Sequence, residues 1–237
     1  MDLSILIPIY NSSSLIEGSV ESLQKILRSE NLKYEILLRD DASRDNSRDI
    51  LTRIQNSGPA RCFFSEKNQG LGFTLRQLMK EAKGKFCVYL DCDLPFGAEV
   101  VPKLMKELED ADIVVASRYL NGPAKVKLSR HIASRLYYFL CLRLFRITVK
   151  DIGSGSVAFR RDAVEKLNLR ANGFDFHIEF FAKAVQEELR VKEFFFPHQN
   201  KISNSSFSLI KHGPCIVFQT LNLWLRHEKL LSEGRQW

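Results

Sequence analysis

Short, almost purely apolar runs alternate along this chain with longer stretches in which apolar residues return every three or four positions. Residues 3–9, 34–38, 60–64, 86–90 and 113–116 are of the first kind and predict strands. Residues 15–27 carry Leu15, Ile16, Val20, Leu23, Ile26 and Leu27 at helical spacing, with serines 12 to 14 placed to cap the start. Helical patterns also cover 50–54, 71–82 and 100–108. Strands interleaved with helices through short loops predict βαβ units and a mostly parallel sheet. Further on, 154–160 and 190–196 read as strands and 176–186 as a helix. No internal repeat is visible.

The pattern changes after Arg118. From Ile113 to Lys150 there is no acidic residue, while Arg118, Lys125, Lys127, Arg130, Arg135, Arg143, Arg146 and Lys150 are basic. Asn121-Gly122-Pro123 breaks regular structure. Residues 129–147 are helical in pattern and rich in Leu, Tyr and Phe. Two readings stand: a helix in a membrane interface, or a helix packed on the domain with a basic outer stripe. Residues 216–225, with Val217, Phe218, Leu221, Leu223, Trp224 and Leu225, predict either a C-terminal helix covering the core or an amphipathic helix docked on a bilayer.

Composition narrows this picture. A length of 237 residues, 45% apolar and 27% charged, suits one α/β domain, with or without an appendage. The net charge of +7 points to anionic partners: phosphates, acidic lipid or nucleic acid. The five cysteines, at 62, 87, 92, 141 and 215, include no Cys-x-x-Cys and are odd in number. Neither a zinc site nor a disulfide framework is expected, and a reducing, cytoplasmic setting is. The start reads as a first strand rather than a signal peptide, and no uninterrupted apolar stretch reaches membrane-spanning length.

Chemistry is concentrated where strands end. In open parallel sheets ligands bind beyond the carboxyl ends of the strands. Pro8-Ile9-Tyr10-Asn11 closes the first strand, Asp40-Asp41 the second, and Asp91-Cys92-Asp93 follows the run Phe86–Leu90. Taken alone, an Asp-x-Asp is a turn or a metal site, and Asp40-Asp41 is a helix-start acid pair or a ligand site. Mg²⁺ takes one or two carboxylates and fills its shell with water and phosphate, so the acidic pair suits a metal-bridged phosphate.

Together, Pro8-x-Tyr10-Asn11, Asp40-Asp41-x-Ser43, Asn68-x-Gly70 and Asp91-x-Asp93 resemble glycosyltransferase family 2. Ala116-Ser117-Arg118-Tyr119, Asp151-x-x-Ser154-Gly155, Gly173-Phe174-x-Phe176-His177-x-Glu179 and Ser206-Phe207-Ser208-Leu209 resemble its dolichyl- or polyprenyl-phosphate sugar synthase branch. The resemblance spans about residues 3 to 210. It implies the α/β GT-A nucleotide-diphospho-sugar transferase fold, with a Rossmann-like sheet, flanking helices and C-terminal amphipathic helices. The implied domain is 1–210, including a basic amphipathic segment at 125–150, with a C-terminal helical segment at 211–237 that contacts a membrane surface.

The resemblance also implies roles. Pro8, Tyr10, Asn11, Asp40 and Asp41 line the nucleotide. Asp91 contacts ribose or metal-bound water, and Asp93 ligates Mg²⁺ or Mn²⁺ between the donor phosphates; both count as the metal pair, with Asp93 catalytic. Arg118, Arg130, Ser134 and Lys201 hold an acceptor phosphate, Arg130 and Ser134 lying one turn apart on a helix. The implied reaction is inverting transfer of a hexose from a GDP- or UDP-sugar to a polyprenyl phosphate, peripherally at the cytosolic membrane face, with a membrane-protein partner in some relatives. A hydroxyl acceptor would instead need a carboxylate base, for which Asp151 stands first; its other reading is a turn organiser. Glu179 is read as the partner of an arginine near the phosphates or as a solvated helix acid.

There are departures. Ser12 stands where many relatives have Glu, Pro95 where many have Gln, and Asn200-Lys201-Ile202-Ser203-Asn204-Ser205-Ser206 replaces an Arg-x-x-Gly-x-Ser-Lys stretch. A nucleotidyltransferase would need a Gly-rich basic loop after the first strand, which Tyr10-Asn11-Ser12-Ser13-Ser14 is not. A non-catalytic basic module for membrane or nucleic acid is permitted by charge. No nucleic-acid motif or aromatic platform supports a nucleic-acid partner.

Overall fold

A computed structural model describes residues 1–30, 32–58, 60–120, 128–198 and 209–232, with backbone alone at 128–131, 209–212 and 227–232. Strand β1 (Leu3–Ile9) has six of its seven residues buried, because it is central and covered on both faces. It pairs in parallel with β2 (Tyr34–Asp40) and β4 (Phe86–Leu90), and β2 pairs in parallel with β3 (Arg61–Phe64). Strand β5 (Ile113–Ser117) and strand β7 (Val191–Phe195) are also parallel. Strand β6 (Ser156–Arg160) lies between β4 and β5, antiparallel to both. The sheet order is β3-β2-β1-β4-β6-β5-β7.

Alternation along the strands divides the core into two layers. Ile5, Ile7, Ile9, Ile36, Leu38, Val88 and Leu90 pack with α1 (Ile16–Ser29), α2 (Ser47–Ser57) and α4 (Val100–Glu107). On the other face, Leu6, Leu37, Cys87, Tyr89, Val157 and Phe159 meet α3 (Leu71–Glu81), α5 (Leu128–Phe145), the short α6 (Arg161–Glu165), α7 (Phe176–Gln186) and α8 (Leu209–Ser232). The α/β class and the mostly parallel sheet are as the pattern predicts. Among the described residues, no helix is long and apolar enough to cross a membrane.

Three expectations change. Serines 12 to 14 do not cap α1: the preceding residue is Leu15, and no side chain caps the helix. The Ser12 and Ser13 amides donate instead to Ser47 Oγ and Asp45 Oδ2, tying the first loop to the second. The strand expected from 154 begins at Ser156, because Ser154 Oγ donates to the Ala116 carbonyl at 2.6 Å and accepts from the Ser156 amide. The final helix runs well beyond 216–225, and takes in Pro214, which cannot donate to a helical bond and obscured the earlier turns.

Helices α5 and α8 pack together, with Tyr137 Oη and Thr220 Oγ1 bonded at 2.9 Å. Cys141, Phe145 and Leu223 face the core. Ile132, Leu136 and Phe139 on α5, and Phe218, Leu221 and Leu225 on α8, are exposed.

Candidate active site at the carboxyl edge of the sheet

Asp41 follows β2 and is 4% exposed. Its carboxylate accepts from the Gln69 and Gly70 amides at 2.9 and 2.8 Å, and its carbonyl from Asn68 Nδ2 at 3.2 Å. Asp40, fully buried, accepts from the Ser43 amide. Asn11, at φ 50°, donates its amide to Ser43 Oγ and accepts from the Arg44 amide through Oδ1, both at 2.8 Å. These polar residues thus bind the loops after β1, β2 and β3 to one another. Pro8 is half-buried opposite Arg39, and Tyr10 stands 40% exposed at the rim.

Next to them is the acidic pair. Asp91 accepts a hydrogen bond from Tyr89 Oη, and its amide donates to the Gly155 carbonyl at 2.9 Å. Burial pushes its carboxyl up to about 6; the Asp93 charge adds to this, while the Tyr89 bond and the Arg118 charge oppose it. Asp93 is half-buried and has no hydrogen-bond partner among the described residues. No group of three or more His, Cys, Asp or Glu side chains that could hold a metal occurs among the described residues. Two carboxylates beside open loops match a cation that draws its remaining ligands from water and phosphate, so the donor set fits Mg²⁺ or Mn²⁺.

Arg118 follows β5, and the structure joins it to Asp151. Nε donates to Oδ2 at 2.8 Å, Nη2 to Oδ1 at 2.6 Å, and the Arg118 amide to Oδ2 at 3.0 Å. Burial works against the guanidinium charge, but Asp151 outweighs it and holds the pKa above its ordinary value. Asp151 is anchored in turn, its amide and that of Lys150 donating to the Glu193 carboxylate on β7 at 2.9 and 3.0 Å. The turn reading of Asp151 holds for its backbone, since its carbonyl accepts from the Ser154 amide at 2.9 Å. Ser134 is half-buried on α5; Lys201 and the Arg130 side chain lie outside the described residues.

Glu179 is neither a phosphate-site partner nor a solvated acid. It is 2% exposed, pairs with Lys183 one turn away at 2.9 Å, and accepts from the Arg170 and Ala171 amides. The loop it holds lies on α3: the Phe73 amide donates to the Asn172 carbonyl at 3.1 Å. Gly72 makes that approach possible, since a Cβ there would meet the Ala171 carbonyl oxygen at 2.5 Å.

Three residues near the site went unassigned in the sequence reading. Tyr89 could have been found, because positions i and i+2 of a strand share a face. His177 has its ring 5.7 Å from that of Tyr89, and burial lowers its pKa to about 4 against the pull of Asp151. Glu193 gave no signal, since only the sheet order brings β7 to the Asp151 loop.

Residues 4–168 match the profile of Glycosyl transferase family 2. A dolichol-phosphate mannosyltransferase from Pyrococcus furiosus is 30% identical over 190 residues, covering 77% of this chain and 53% of the relative. An undecaprenyl-phosphate 4-deoxy-4-formamido-L-arabinose transferase from Yersinia pestis is 26% identical over 211 residues, covering 88% and 63%. The chain thus spans about half to two-thirds of the length of these two relatives. Glucosyl-3-phosphoglycerate synthase from Mycobacterium tuberculosis, solved with Mn²⁺, uridine diphosphate and phosphoglyceric acid, superposes with a TM-score of 0.70. It is 19% identical, and the match covers 94% of this chain and 78% of that one, which shows a shared fold.

Proposed function

The chain belongs to glycosyl transferase family 2, and from that premise we propose that it moves a hexose from a GDP- or UDP-linked donor to a polyprenyl phosphate, inverting the anomeric carbon. Support for the acceptor comes from the two relatives, whose names specify dolichol phosphate and undecaprenyl phosphate. Support for the donor and cation comes from the structural neighbour, solved with uridine diphosphate and Mn²⁺.

The observation that carries this reading is the Arg118–Asp151 pair. A hydroxyl acceptor needs a base, and both Asp151 oxygens already accept bonds from Arg118. A phosphate monoester, with its second pKa near ~6, is already largely ionised at neutral pH and needs cations to position it rather than a base. In this reading Asp151 holds Arg118 in place, and Arg118 faces the acceptor phosphate with Arg130, Ser134 and Lys201.

On the donor side, Asp91 and Asp93 hold the divalent cation, which supplies Lewis-acid stabilisation of the charge on the leaving diphosphate. Tyr10 and Pro8 border the nucleotide, while Asn11, Asp40 and Asp41 shape the loops around it. Residues 1–210 form the catalytic unit. The exposed apolar side chains of α5 and α8, with exposed Arg135, Arg143, Arg146 and Arg226 nearby, meet the cytosolic membrane face where the lipid phosphate resides.

The test is transfer of label from nucleotide sugars to polyprenyl phosphate and to polyprenol. Label on the phosphate alone is expected; label on polyprenol alone overturns the acceptor assignment. Asp93→Ala is expected to abolish metal-dependent transfer while vesicle binding persists, and unchanged turnover would exclude the metal role.

A further inference from the structure

The roles assigned above leave one buried polar side chain beside the acidic pair without a task. Tyr89 is 3% exposed and lies near the end of β4, with Asp91 two residues further on, just past the strand. Its hydroxyl donates to Asp91 Oδ1. The other carboxylate oxygen is confined by Gly155, where an added Cβ would sit 2.2 Å from Asp91 Oδ2. The Asp91 amide is fixed on the Gly155 carbonyl at 2.9 Å. The Tyr89 ring is held in turn, opposite Val157 on β6 and with the His177 ring 5.7 Å away.

Asp91 is therefore oriented from two sides, whereas Asp93 has no such support among the described residues. A core tyrosine needs some partner for its hydroxyl, but any carbonyl would serve that need. Here the partner is the first carboxylate of the pair, two residues along the chain and just beyond the end of β4. Hydrogen bonds of this kind to ligating side chains fix their direction, and losing one typically costs about 10–100-fold in metal affinity.

We propose that Tyr89 is a positioning residue for divalent-cation binding: its hydroxyl sets the Asp91 carboxylate in the orientation the acidic pair uses, in space that Gly155 leaves free. This rests on the reading of Asp91 and Asp93 as the cation-binding pair. A merely structural Tyr89 would affect stability alone, so the readout is Mn²⁺ affinity of the folded protein.

The experiment titrates Mn²⁺, followed by the electron-paramagnetic signal of the free ion, with uridine or guanosine diphosphate present. It compares the unaltered chain, Tyr89→Phe, Gly155→Ala and Asp93→Asn, each checked for folding by circular dichroism. Tyr89→Phe is expected to weaken Mn²⁺ binding about tenfold. Gly155→Ala keeps the tyrosine but displaces the carboxylate, and is expected to weaken it as well. Unchanged affinity in folded Tyr89→Phe overturns the proposal. Should Tyr89→Phe fail to fold, unchanged affinity in Gly155→Ala overturns it. If the unaltered chain binds no Mn²⁺, or Asp93→Asn binds it equally well, the reading of the acidic pair falls and this inference falls with it.

Discussion

Asp151 grips Arg118 through two side-chain bonds, Nε to Oδ2 at 2.8 Å and Nη2 to Oδ1 at 2.6 Å, with the side chains 2% and 13% exposed. Breaking a buried pair from one side leaves an uncompensated charge, which costs about 3–5 kcal/mol. Asp151→Asn keeps the shape and removes the charge, so it is expected to lose stability on that scale in urea unfolding. The Arg53–Glu17 pair, with side chains 67% and 63% exposed, provides the contrast. Arg53→Ala is expected to change stability by less than about 1 kcal/mol, because solvent screens that pair. Equal effects of the two variants would contradict the buried anchoring of Arg118.

Two helical glycines give opposite expectations for the same substitution. Alanine is favoured over glycine in a helix by about 1 kcal/mol. At Gly18 on α1 an added Cβ meets nothing within 4 Å, so Gly18→Ala is expected to stabilise by about 0.5–1 kcal/mol. At Gly72 on α3 it would meet the Ala171 carbonyl oxygen at 2.5 Å and Phe176 Cβ at 2.8 Å. Overpacking of that kind costs about 1–3 kcal/mol, so Gly72→Ala is expected to lower the melting temperature. Stabilisation by both would mean that the 171–172 loop does not rest on α3.

What the chain disclosed in advance follows from these contacts. The central strands are covered on both faces and read as apolar runs, and the acids at their ends stand out against them. Strand β6 could be expected as a strand but not as an antiparallel insertion between β4 and β5, because a short apolar run does not encode its neighbours. Asp41 and Asn11 were legible in a cluster with Asp40 but not as loop anchors, since their partners, the Gln69 and Gly70 amides for Asp41 and the Ser43 hydroxyl and Arg44 amide for Asn11, are distant in sequence. Arg118 and Asp151 were each legible, yet their union depends on two loops from antiparallel strands meeting at one edge. Glu179 misled because its partners, Lys183 and the amides at 170 and 171, sit within one local motif.

The half-buried imidazole of His177 sets a pH dependence. Its pKa falls to about 4, chiefly through burial, against an ordinary value of 6.5. A depressed basic group contributes stability that is full above pH 6.5 and is lost as pH falls toward 4, where the unfolded chain takes the proton first. Asp91 acts in the opposite sense in the metal-free protein. Its carboxyl is raised from 3.8 to about 6, so its contribution is present below 3.8 and is lost as pH rises through 6. His177→Gln removes the first effect alone. Urea unfolding between pH 6.5 and 4 is expected to show a smaller loss of stability in His177→Gln than in the unaltered chain. Parallel curves for the two proteins would mean that His177 takes up its proton equally readily in both states.

The last prediction concerns the outer face of α5 and α8. Ile132, Leu136 and Phe139 recur at helical spacing on α5 and are 50%, 66% and 55% exposed; Phe218 and Leu225 on α8 are 65% and 56% exposed. Helix α5 also presents exposed Arg135 and Arg143. Each basic residue near an anionic surface is worth about 1 kcal/mol, and that attraction fades beyond a Debye length of about 10 Å at 0.1 M salt. Full burial of a phenylalanine is worth about 1.5–3 kcal/mol. Co-sedimentation with vesicles containing phosphatidylserine is therefore expected to be strong at low salt and weaker as salt rises. Phe139→Ser and Phe218→Ser are each expected to weaken it about tenfold, with the salt dependence retained. Arg143→Gln is expected to shallow the salt dependence instead. Binding that ignores salt would contradict the electrostatic part, and binding that ignores both phenylalanines would contradict insertion of this face.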